Sequence, residues 1–143
     1  MEIRIMTIDD YDTVYQLWSG TNGMGMRSLD DSKAGIEKFI NRNPTTNFVT
    51  VINDIIVGVT LSGHDGRRGY IYHTAVKNEF RRKGIGKALI NAVYDSMKNE
   101  DINKVSLVVF KANETGNAFW KFQGWEQRMD LNYYNKSLND NNF

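Results

Sequence analysis

The chain contains no cysteine, which excludes disulfides, thiolate metal ligands and a cysteine nucleophile, and is compatible with a reducing compartment. Its two histidines make a poor inventory for a metal centre, so no metal is expected. No stretch approaches the ~20 apolar residues of a membrane span. Residues Met1 to Asp10 lack the apolar core of a signal peptide. Both absences lead to the expectation of a cytoplasmic protein without a membrane partner. An excess of charge of one sign is also missing: 18 Lys and Arg face 17 Asp and Glu, a formal charge of +1. No global field therefore recruits nucleic acid, and any basic site must be local.

What is present describes one globular unit. Charged residues make up 24% and hydrophobic residues 41% of 143 positions, enough for one core and too few for two ordinary domains. We expect a single domain over 1–136 and a flexible, Asn-rich tail over 137–143. Ile3 to Met6 reads as a first strand. Thr7, Asp9 and Asp10 then open a helix with Tyr11, Val14, Tyr15 and Trp18 on one face. A glycine-rich break at Gly20, Gly23 and Gly25, either lid or plain loop, precedes a second helix through Ile36, Phe39 and Ile40. Phe48 to Ile52 and Ile55 to Leu61 flank Asn53-Asp54 as a hairpin, and Asp65-Gly66 leads into a third antiparallel strand, Tyr70 to Val76. The spacing of Ile85, Ala88, Leu89, Ala92, Val93 and Met97 predicts a long amphipathic helix. Lys104 to Phe110 reads as a strand, Thr115 to Phe122 as a helix ending at Gly124, and Trp125 to Asn135 as one or two late strands. This order predicts a mixed α+β or α/β fold, a sheet covered by helices on both faces.

The informative segment joins the third strand of the hairpin series to the long helix, from Val76 through Arg81, Arg82, Lys83, Gly84, Ile85, Gly86 and Lys87. Two glycines permit a tight turn, and the first amides of the helix carry the positive end of its dipole without intrahelical partners. That cup suits a pyrophosphate. Ala88 stands where a P-loop needs Ser or Thr, and Leu89 where a dinucleotide turn needs a third glycine, so neither nucleotide motif fits.

Arg81-x-x-Gly84-x-Gly86 resembles the Gln/Arg-x-x-Gly-x-Gly/Ala signature of the GNAT acyltransferase superfamily. Asn113, Ala118, Phe119, Trp120, Gly124 and Trp125 resemble its later block, so the resemblance covers nearly the whole chain. Met1 to Arg4, Leu17-Trp18 and the loop Asp65 to Gly69 look most similar to the YpeA-type branch. The resemblance implies a twisted, mostly antiparallel sheet splayed between Tyr70 to Val76 and Lys104 to Val109, with acetyl-CoA as co-substrate entering the splay. It also implies that Thr74, Ala75 and Val76 offer backbone bonds to pantetheine and acetyl. Arg81, Arg82, Lys83, Gly84, Ile85, Gly86 and Lys87 would surround the pyrophosphate, and Asn113 and Trp120 would contact the cofactor. The Val76 amide is the candidate for polarising the thioester carbonyl.

Ribosomal-protein acetyltransferases of the superfamily use a Glu before this Asn and a Tyr after it; here Val108 and Trp120 occupy those positions and cannot do acid–base work. Four other residues are candidates. His73 and Tyr72 lie in the strand before the turn, and alternation sends them to opposite faces, so only one can meet the thioester; His73 is either a base or a hydrogen-bonded structural histidine. Tyr133 or Tyr134 could protonate the leaving thiolate, or pack on a late strand. Arg67 and Arg68 are either holders of an acceptor carboxylate or solvated turn residues. The expected activity is acetyl transfer from acetyl-CoA to a primary amine of a small molecule, amino acid or peptide. The alternative is a regulatory module that binds CoA without catalysis. A late strand such as Leu131 to Asn135 would offer an edge for a homodimer.

Overall fold

In the computed structural model, which describes residues 1–143, a sheet is built from β1 (Glu2–Ile5), β2 (Phe48–Ile52), β3 (Ile55–His64), β4 (Gly69–Val76) and β5 (Val105–Ser106), in that spatial order. Four helices accompany it: α1 (Tyr11–Ser19), α2 (Lys33–Arg42), α3 (Ile85–Asn99) and α4 (Glu114–Phe122). The first four strands pair antiparallel and β5 joins β4 in parallel, which is the mixed, mostly antiparallel sheet expected. No helix is long and apolar enough to cross a membrane.

Each face of the sheet buries its own helices. On one side α1 and α2 lay Val14, Leu17, Trp18, Ile36 and Ile40 over Val49, Val59, Leu61 and Ala75. On the other, the apolar stripe of α3 covers Val57 and Ile71 with Ile85, Leu89, Ile90, Val93 and Met97. The β2–β3 turn is tight as expected, with Asn53 and Asp54 both left-handed at φ 51° and 64°. The entry to α1 is held by Asp10, whose carboxylate accepts from the Thr7 amide at 2.9 Å and takes both guanidinium nitrogens of Arg4 at 2.8 and 2.9 Å.

Three expectations need correction. The strand expected over Lys104 to Phe110 is paired only at Val105–Ser106, because the chain then leaves β4 and finds no other ladder. Trp125 to Asn135 forms no strand, so the edge imagined there for a homodimer is not built. A strand requires a partner edge, and β5 is too short to supply one. The end of the chain docks: Ser28 and Phe143 exchange bonds through the Ser28 amide and hydroxyl, and the Asn142 side chain accepts from the amides of Leu29 and Asp30.

Candidate active site

The β4–β5 pairing ends after Gly69↔Val105 and Tyr70↔Ser106, so from Ile71 onward the outer edge of β4 borders a gap instead of a strand. The Lys77 amide donates to the Val57 carbonyl at 2.8 Å, so by ladder alternation the peptide groups of Val76 and Thr74 turn away from β3 and into the gap. This is the splay, with open backbone donors on its wall. Arg81 reaches back across its end and donates Nε to the Val76 carbonyl at 3.1 Å. Ala75 differs from its neighbours: its peptide group faces β3 and its methyl is core, so it leaves the set of cofactor contacts.

The register between β3 and β4 slips in the middle of the site. Thr60 opposes Thr74 and Ser62 opposes Ile71, which leaves Tyr72 and His73 together facing the single residue Leu61. A bulge of this kind breaks alternation, and the expectation that Tyr72 and His73 point to opposite faces is overturned. Both lie on the α1/α2 side. The Tyr72 ring stands edge-on to Phe39 of α2, centroids 5.5 Å apart, and the His73 ring stands edge-on to Trp18 of α1 at 5.1 Å.

His73 has a partner that sequence reasoning missed. Its Nε2 lies 2.7 Å from Oδ1 of Asp31, which is 4% exposed. The other carboxylate oxygen accepts from the Arg27 amide at 2.6 Å, and the Asp31 carbonyl accepts from the Tyr11 hydroxyl at 2.6 Å. A carboxylate only accepts, so Nε2 carries the hydrogen of this bond. The loop that delivers Asp31 lies directly on α2 at Gly35, where a Cβ would stand 2.3 Å from the Leu29 carbonyl oxygen. The one available signal was the pair Asp30-Asp31 just before the Ser32 cap, and nothing local ties it to a histidine in β4.

Tyr70, Tyr72 and Tyr133 gather beside this pair, with the Tyr70 and Tyr72 rings 4.5 Å apart. Burial, reinforced by Tyr133 and Tyr72, pushes the Tyr70 phenol up to about 12. Burial first, then Tyr133 and Asp30, raise Tyr72. Both phenols stay neutral at working pH. Tyr134 is 86% exposed.

At the far end of β4 the glycine turn leads directly into α3. Gly84 is left-handed at φ +79° with nothing within 4 Å of where its Cβ would be, and α3 begins at Ile85. The first helical bond runs from the Ala88 amide to the Gly84 carbonyl, which leaves the amides of Ile85, Gly86 and Lys87 outside the helix ladder. Arg82 is also left-handed, at φ 63°, and Lys83 stacks its ammonium over Phe80 at 5.3 Å. Gly86 serves packing: a Cβ there would stand 2.8 Å from the Phe119 ring of α4. Asn113 caps α4 by accepting from the Gly116 amide at 2.9 Å, and Gly23 lies directly on its side chain. Trp120 stacks edge-on between Phe119 and Trp125 at 5.0 Å from each. Arg67 and Arg68 sit at the opposite, closed end, in a turn whose amides donate to Asp65; strand rise puts them more than about 13 Å from His73.

Known proteins are similar to this chain in sequence or fold. An acetyltransferase of Pectobacterium atrosepticum is 34% identical over 114 residues, covering 80% of this chain and 79% of its own. The crystal structure of Ard1 from Thermoplasma volcanium superposes with a TM-score of 0.76 at 23% identity, covering 86% of this chain and 80% of its own. AAC(6')-Iy in complex with a bisubstrate analogue, CoA-S-monomethyl-acetylneamine, superposes at 0.72 with 19% identity over 95% and 97% of the two chains. The profile of the Acetyltransferase (GNAT) family matches residues 11–125. With the splayed sheet and the glycine turn before α3 in place, the chain belongs to the GNAT acetyltransferase family and is an acetyltransferase.

Proposed function

We propose that the protein transfers the acetyl group of acetyl-CoA to a primary amine by direct attack in a ternary complex, with His73 as the base. The observation that carries this reading is the Asp31–His73 pair on the strand whose open edge borders the splay. Acetyl-CoA supplies an activated acetyl thioester, and the residues present fit it. The free amides of Ile85, Gly86 and Lys87 would hold the pyrophosphate, with Arg82 beside them, and the outward peptide groups of Thr74 and Val76 would hold the pantetheine arm. Nδ1 of His73 takes a proton from the acceptor ammonium, and Asp31 stabilises the imidazolium that results. The neutral nitrogen then bonds to the acetyl carbon. The carbon–sulfur bond breaks, the nitrogen loses its second proton to become an amide, and that proton neutralises the departing CoA thiolate. The Val76 N–H is aimed at the gap, where it would stabilise charge on the carbonyl oxygen.

A buried carboxylate on an imidazole speaks against a module that binds CoA without catalysis, since binding alone has no use for it. We also propose that the chain stands with the YpeA-type branch and works in the cytoplasm, where acetyl-CoA is available. The test is thiol release from acetyl-CoA across a panel of amines, amino acids and peptides, with CoA binding followed by thermal shift. Turnover on one acceptor class, lost in His73→Ala and with CoA binding lost in Gly84→Glu, is the expected result. Binding without turnover on any acceptor would favour the regulatory module, and no CoA binding would overturn the reading.

A further inference from the structure

The groups around His73 also bear on the acceptor. Tyr72 is 48% exposed, its ring bracketed by Phe39 and Tyr70, and neither the Tyr70 nor the Tyr72 hydroxyl has a hydrogen-bond partner in the protein. Asp30 is the neighbour of Asp31, whose carboxylate lies on the ring of His73, the residue that follows Tyr72 in the bulge opposite Leu61. Asp30 forms no ion pair. Its carboxylate accepts only from the neutral amide of Asn142, Nδ2 at 2.8 Å, which holds it in place without cancelling its charge. The Arg–carboxylate pairs of the protein are Arg4–Asp10 and Arg128–Asp130, and Asp31 contacts only the His73 ring, so no Lys or Arg is paired with either carboxylate of this loop.

Electron-rich ring faces beside an uncompensated carboxylate attract cations and repel anions. The reacting nitrogen cannot be the cation they hold, because it must lose its charge before it attacks. A charge that persists through the reaction has to sit elsewhere on the acceptor. An amino acid or peptide carboxylate would instead meet Asp30, with Arg67 and Arg68 at the closed end of the sheet. Resting on the acetyltransfer reading above, we infer that the acceptor is a compound with at least two positive charges, its distal ammonium seated on Tyr72 and Tyr70 against Asp30 while its proximal amine faces His73.

The experiment compares (4-aminobutyl)trimethylammonium with 1-aminobutane as acceptors, by kcat/KM at fixed acetyl-CoA, in wild type, Asp30→Asn and Tyr72→Leu. Binding of 1,4-bis(trimethylammonio)butane, which cannot be acetylated, is measured alongside by calorimetry. We expect the cationic acceptor to be preferred and Asp30→Asn to cut the preference about tenfold, with a smaller loss in Tyr72→Leu, the scale of one partly desolvated cation contact. The bis-quaternary compound binds wild type and weakens in both variants. If its binding is indifferent to Asp30→Asn, or the preference is the same in wild type and variant, the cation site is overturned even where 1-aminobutane is acetylated. If no amine turns over but the compound binds through Asp30, the cation site stands and the acetyltransfer reading falls.

Discussion

Nε2 of His73 lies 2.7 Å from Oδ1 of Asp31, a residue 42 positions earlier in the chain. The bulge that turns His73 toward α1 and the loop that carries Asp31 over α2 meet only in the folded protein. In the proposed mechanism Asp31 would act through the imidazole, as a positioning residue. We predict that His73→Ala lowers kcat by about 10²-fold or more, the usual worth of a positioned base, while the KM for acetyl-CoA stays near wild type. Asp31→Asn should lower kcat by a smaller factor and alter the pH profile of kcat/KM. An unchanged kcat in His73→Ala would remove the residue from the mechanism.

Gly35 decides whether that loop can lie where it does. An added Cβ would stand 2.3 and 2.5 Å from the carbonyl oxygens of Leu29 and Asp30, both backbone atoms that cannot swing aside. Gly35→Ala should therefore displace the Asp31 loop, costing about 1–3 kcal/mol by overpacking despite alanine's better helix propensity. Denaturant unfolding reads the stability cost and kcat the displacement of the loop. A more stable variant with full activity would contradict the assignment.

The two glycines of the phosphate turn should separate by experiment. Gly84→Ala forces a side chain into the left-handed region, at about 1–2 kcal/mol, and leaves a methyl in the open cup where phosphate would sit. Gly86→Ala instead drives a methyl into Phe119. Thermal melts with and without CoA should show a weakened CoA-induced shift for Gly84→Ala. For Gly86→Ala the main loss should be in the melting point of the free protein, relieved in the double variant Gly86→Ala, Phe119→Leu.

Stability should carry an acid limb from the Arg4–Asp10 pair. The hydrogen bonds from Arg4 hold the Asp10 carboxyl below its ordinary range, against burial, with help from the Thr7 amide and the Arg4 charge. Because the folded value is depressed, the contribution is complete above the unfolded value of about 3.9 and is lost as pH falls through the folded one. Asp10→Asn should cost up to about 1 kcal/mol at neutral pH, and the gap from wild type should close below about pH 4. A gap that stays constant into acid would assign the loss to packing.

The hairpin series, the long helix α3 and the glycine turn were legible because each rests on neighbours in sequence: β-branched runs around Asn53-Asp54, the three-and-four spacing from Ile85 to Met97, a left-handed Gly84 before a helix start. The His73–Asp31 pair was half legible. His73 could be singled out by residue type, but Asp31 lies in a loop with no periodicity, and strict alternation gave the wrong face for His73 beside Tyr72. The strands expected after Lys104 failed for a related reason, since β-branched runs state a preference that only a partner edge can satisfy.

Local chemistry thus determined which segments could be helix, turn or strand, and placed a glycine turn ahead of α3. Long-range packing decided the rest. The two-against-one register at Leu61, the contact of the Leu29 and Asp30 carbonyls with Gly35, and the end of the β4–β5 ladder after Tyr70 each join residues distant in sequence, and their energies exist only once both partners are in place.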